Sequence, residues 1–190
     1  MSKKSDYLKK LCVCALLAAL FVPLEALASN FGIIAFLDKY QIPISCFPLI
    51  LASVMYGIGW GTSTAVVGSL LSQIVILNTN PDANAATIPI WMLPTIIYAL
   101  LVAILYKVFR KSSKPYILAI EFFISSVVLS VLNIVALYLD SVIVGWPYEF
   151  LKNFFGVFVS LKLVGGLIFA VIFALIVPPI IKKLKAVLKF

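Results

Sequence analysis

Residues 45–77 read SCFPLILASVMYGIGWGTSTAVVGSLLSQIVIL, a run without a charge and interrupted by Gly57, Gly59 and Gly61. An apolar run of this length is poorly suited to a water-facing surface, and the Gly-x-Gly-Trp-Gly corner is too short for anything but a turn. The pattern predicts a transmembrane hairpin, with a helical arm crossing lipid on each side of the corner. Composition agrees with it. The 190 residues are 64% hydrophobic and 12% charged, whereas a soluble domain is nearer half apolar and ~25% charged. One compact membrane domain over residues 1–190 is expected, with lipid as the solvent for much of its surface.

The net charge of +8 would suit a nucleic-acid partner only if it formed a patch interleaved with exposed aromatics, and it does not. Twelve of the 15 basic residues fall in three short clusters: Lys3, Lys4, Lys9 and Lys10; Lys107, Arg110, Lys111 and Lys114; Lys182, Lys183, Lys185 and Lys189. Each cluster flanks an apolar segment. Six spans follow, at about residues 8–28, 42–57, 60–77, 88–106, 116–139 and 153–181. The opposite loops hold Asp38, Asp82, Asp140 and Glu149 against Lys39 and Lys152. Positive-inside bias therefore predicts both termini in the cytoplasm of an all-α, six-helix membrane protein. Residues 26–28, Ala-Leu-Ala, mimic a secretory cleavage site. The preceding apolar run is too long for a signal peptide and carries Glu25, so retention as the first span is expected.

Counting ~1.5 Å per helical residue from the basic flanks gives each intramembrane polar group a depth. Glu25 lies ~22 Å up, Gln73 ~21 Å, Trp91 ~24 Å and Lys162 ~30 Å, while Asn133 is ~10 Å below the outer end of its span. Separately, each has an ordinary explanation: Lys162 can snorkel, Trp91 can belong to an interfacial belt, and Gln73 can bond to a neighbouring backbone. Together they converge on the outer third, where embedded polar groups mark a pocket. Glu25, Gln73, Trp91, Asn133 and Lys162 are therefore the expected ligand contacts, with Trp146 and Tyr148 from the following loop as a lid. Glu121 sits near the basic inner loop and is expected to pair with Lys114 or Lys111. In the first span Ala15 and Ala19 share a face with Cys12, Val22 and Ala26, small enough for close helix approach, within the chain or against another subunit.

No catalytic constellation, phosphate loop or metal set is legible. There is no histidine and no Cys-x-x-Cys, so zinc, haem and an enzyme assignment are not expected. The chain does resemble the substrate-binding S components of energy-coupling factor (ECF) transporters. The likeness is carried by residues 15–19 (ALLAA), by 44–50 (ISCFPLI) through 56–61 (YGIGWG) to 68–72 (GSLLS), and by 90–94 (IWMLP) with the basic tail. It looks closest to the broad group containing folate and pantothenate S components, many of which carry an acid where this chain has Ser72 and Gln73. The resemblance implies a binding subunit in a bacterial or archaeal cell membrane. It further implies a vitamin-like ligand taken from outside, and docking through the Ala15/Ala19 face onto a coupling protein carrying two ATPases. No cofactor of the chain's own is implied, because ATP is used by the partners. A self-sufficient secondary transporter and a membrane-embedded enzyme or accessory protein are the competing readings.

Overall fold

A computed structural model describes residues 3–30, 44–79, 84–109 and 115–145, together with 160, 164–165, 167–168, 170–181 and 183–184. Among these residues the chain is almost entirely helical. Helix α1 is Lys3–Asn30, α2 Cys46–Tyr56, α3 Ile58–Thr79, α4 Ile88–Phe109 and α5 Pro115–Val144. A short apolar helix, α6, is Ala170–Ile181, and a single 3₁₀ turn, Ala85–Thr87, leads into α4. Four helices are long and apolar enough to cross a membrane: α1, α3, α4 with its preceding turn, and α5. The helical outcome follows from lipid as solvent, where only intra-segment hydrogen bonding satisfies the backbone without neighbours.

The predicted hairpin is present, with two corrections. Only Gly57 is non-helical; the chain turns there at φ 84° and helix resumes at Ile58. Gly59 has nothing within 4 Å of where a Cβ would stand, so it contributes neither turn nor close contact. Second, α2 has 11 residues, ~16 Å of helix against a hydrocarbon core of ~30 Å. It is an interior helix: Cys46, Pro48, Leu49, Ile50, Leu51, Ala52, Ser53 and Val54 are all buried. The fifth helix also outruns its predicted end, so that Asp140 lies within α5 and not in the loop beyond it.

The long helices wrap this short one. Leu49 packs with Phe21 of α1, Ala65 of α3 and Ala99 of α4. Ile50 and Val54 pack with Tyr98 and Val102 of α4, Phe122 and Leu129 of α5, and Phe173 and Val177 of α6. An edge-on pair, Phe47 with Phe173 at 5.6 Å, fixes α6 against α2. Towards lipid the chain turns its bulk outwards, with Leu16 70%, Val142 60% and Leu175 72% exposed. Its buried polar residues are mostly hydroxyls that bond back to their own helix, such as Thr64 to the Trp60 carbonyl at 2.8 Å and Ser69 to the Ala65 carbonyl at 2.6 Å.

Close approach of α2 and α3 depends on Gly61, where an added Cβ would come within 2.7 Å of Ser53 Cα. A backbone atom cannot yield cheaply, so Gly61→Ala should cost ~1–3 kcal/mol as overpacking. Gly59→Ala, in open space, should be neutral or stabilising by up to ~1 kcal/mol. Thermal unfolding of the two variants in detergent checks the contrast, and equal melting temperatures would contradict it.

Candidate functional site

Side-chain contacts set the helices in register. Tyr7 of α1 packs in a tilted ring pair with Trp60 of α3 at 5.2 Å, and further along Gly68 of α3 faces Ala18 and Phe21 of α1. The two helices therefore run parallel. One turn beyond Phe21 and Gly68 stand Glu25 and Ser72–Gln73, so Glu25 and Gln73 lie at the same level. The Ser53 hydroxyl donates to the Ala99 carbonyl of α4 at 3.1 Å, and Ser53 also abuts Gly61. Eight residues back from Ala99, ~12 Å along antiparallel α4, is Trp91, about one turn below Gln73. Tyr98 of α4 approaches Ser126 of α5. Trp91 is seven residues before Tyr98 and Asn133 seven after Ser126, so these two share a level as well.

Residue counting along the four helices thus sets Glu25, Gln73, Trp91 and Asn133 at similar heights, a band about one helical turn deep. All four are half-buried. Their carboxylate, amide and indole groups can orient a polar ligand, and the Trp91 face can stack a ring. Pro94 adds a further acceptor: lacking an N–H, it leaves the Ile90 carbonyl without its usual helical donor, beside Trp91. Lys162, Trp146 and Tyr148 lie outside the described residues. Asp140, in the last turns of α5, is half-buried beyond Asn133.

The other end of the bundle gathers the basic groups. The Tyr7–Trp60 contact puts the start of α1 at the Gly57 corner, and a cavity of about 390 Å³ joins Tyr56, Gly57 and Ile58 to Tyr106 and Lys107 of α4. Lys4, Lys9, Lys10 and Lys107 therefore share one end, with Lys10 bound to Asp6 at 2.8 Å. The cavity holds none of the expected ligand contacts.

Two placements bear on what the sequence left open. Glu121 is not at the surface beside the basic loop; it is 0% exposed in the core. Neither of its carboxylate oxygens has a hydrogen-bond partner among the described residues, while Lys111 and Lys114 lie outside them. The signal was present in the polar residues Glu121, Ser125, Ser126 and Ser130 of a mostly apolar helix. Helix α1, for its part, buries Cys14, Ala18 and Phe21 against its neighbours, leaving Ala15 and Ala19 exposed beside Cys12. Of the two roles open to that face, packing within the described bundle is excluded.

The fold defines a multi-pass helical membrane protein with half-buried polar side chains at similar heights on four of its helices. Residues 9–181 match the family described as ECF transporter, substrate-specific component, and the chain belongs to it. This is a transport family and not an enzyme family. No curated protein and no solved structure gives a significant match.

The orientation of α1 has a chemical consequence. Cys12 is exposed, whereas Cys14 and Cys46 are 5% and 4% exposed. A membrane-permeant maleimide should label Cys12 in the folded protein and reach the other two only after denaturation, as read by peptide mass spectrometry. Labelling of Cys14 as fast as Cys12 would contradict the assignment of faces.

Proposed function

We propose that this substrate-specific component captures a water-soluble vitamin or related micronutrient at the band formed by Glu25, Gln73, Trp91 and Asn133, with Lys162 completing it and Trp146 and Tyr148 forming a lid. The observation that carries the proposal is the common level of four half-buried polar groups from four helices, in a chain whose family binds substrates for import. Intramembrane polar groups persist where they line a cavity or bind something. The band lies at the end away from the basic residues; under positive-inside bias that end faces outwards, and both termini face the cytoplasm of a six-span protein in the cell membrane.

Delivery inward needs a motor, and the chain has no phosphate-binding loop. The Ala15/Ala19 face supports docking onto a transmembrane coupling protein that carries two ATPase subunits. Small side chains on an exposed helix face permit the close backbone approach on which association in lipid depends. Ligand charge is set by a balance between Lys162, which favours an anion, and Glu25 with Asp140, which favour a cation.

A thermal-shift panel of folate, pantothenate, pyridoxine and queuosine precursors should yield one strong stabiliser in the absence of ATP. Against that ligand, Trp91→Ala and Lys162→Ala should each weaken binding at least ~tenfold, or ~1.4 kcal/mol. Unchanged affinity in both variants would remove the band from the mechanism.

A further inference from the structure

Away from the band, the seam between α4 and α5 holds a second set of polar atoms. Both carboxylate oxygens of Glu121, the phenol oxygen of Tyr98 and Oγ of Ser126 are buried without a hydrogen-bond partner among the described residues. Glu121 and Tyr98 are 0% exposed and Ser126 1%. These groups belong together: Tyr98 lies within electrostatic reach of Glu121, and its hydroxyl approaches Ser126 without closing a hydrogen bond. The hydroxyls next to them are committed elsewhere, Ser125 to the Glu121 carbonyl and Ser130 to the Ser126 carbonyl, both at 2.9 Å.

An ionised carboxylate in such surroundings requires a compensating positive charge, because an isolated one is too costly to bury. Among the described residues, the elements packed around this seam offer none. Helix α4 faces it with Tyr98, and its Lys107 is exposed nine residues further on; α2 contributes Cys46; residues 170–181 of α6 contain no charged side chain. The walls are Ile50, Val102, Phe122 and Val177. The seam buries four oxygens without a hydrogen-bond partner among the described residues, one pair formally anionic, and oxygen donors select protons and hard metal ions.

We propose that Glu121, Tyr98 and Ser126 form a monovalent-cation site in the α4–α5 seam, taking a proton or a small alkali ion. It is separate from the ligand band, since Glu121 and Asn133 are twelve residues apart on α5, ~18 Å. The site follows from the packing of the seam and is independent of which solute the band accepts. Its occupant neutralises Glu121, so the folded state binds a cation that the unfolded chain releases. Stability then depends on pH and on the salt present, with the sign fixed by linkage: it falls as protons are withdrawn.

Thermal unfolding of purified wild type and Glu121→Gln tests this in sodium, potassium or choline chloride at fixed ionic strength, from about pH 5 to about pH 9. In choline the wild-type Tm should fall by at least ~4 °C as pH rises, while Glu121→Gln stays flat. Restoration of the high-pH wild-type Tm by sodium or potassium, but not choline, identifies an alkali ion; no restoration identifies a proton. The same pH and salt response in both proteins would overturn the site. So would a Gln variant destabilised equally at every pH, which would make Glu121 half of an ion pair. Wild type alone supplies a second readout, in saturable sodium binding or an infrared band from a protonated carboxyl group at neutral pH. The absence of both would also overturn the proposal.

Discussion

Ser53 ties the bundle together. On one side its Cα is met by Gly61 of α3, close enough that no Cβ fits between them; on the other its hydroxyl donates to the Ala99 carbonyl of α4 at 3.1 Å. Three helices are thereby fixed at one level by a small side chain. Lipid tails are as apolar as leucine, so burying leucine against leucine gives little preference for one arrangement over another. Close backbone contact and hydrogen bonding supply that preference instead. The register that carries Trp91 up α4 and Gln73 up α3 to nearly the same height begins at this contact.

The interior consequently holds small hydroxyls while bulky apolar side chains face outwards. Ser45, Ser53, Ser69, Ser72, Ser125 and Ser126 are buried, while Leu16, Val171 and Leu175 face outwards. Serine and threonine are tolerated inside because they can return a hydrogen bond to their own helix, as Thr64 and Ser69 do. Glu121, Tyr98 and Ser126 depart from that pattern. The chain therefore has two polar levels: a half-buried one, proposed for solute capture, and a fully buried one, proposed for cation binding.

Much of this was legible in the residues. Length and apolar content predict helices in lipid, and the Gly57 corner falls where a charge-free run has to reverse. The common depth of Glu25, Gln73, Trp91 and Asn133 is an expectation from counting residues, and all four are half-buried. The sequence misled where helix length and helix face decide the outcome. The hydrophobic run up to Gly57 reads as a membrane-crossing arm, yet α2 is a short buried helix, because an apolar segment looks the same whether lipid or protein surrounds it. Glu121 is near Lys111 and Lys114 in sequence, but the helical twist that aligns it with Ser125 and Ser126 turns it inward. The Ala15/Ala19 face was ambiguous until Cys14, Ala18 and Phe21 were seen to take the inner side of α1.

The proposed docking through the exposed small-residue face divides the labour of transport. On that proposal the chain recognises its solute, and a docked partner supplies the energy. Uptake into vesicles tests that division most directly, using wild type and the Ala15→Leu/Ala19→Leu variant, each with and without the ATP-driven coupling module. The account predicts solute accumulation only by wild type with the module and ATP, with ligand affinity unchanged in the variant. Accumulation by the chain alone on an ion gradient, or undiminished ATP-driven uptake by the variant, would contradict it.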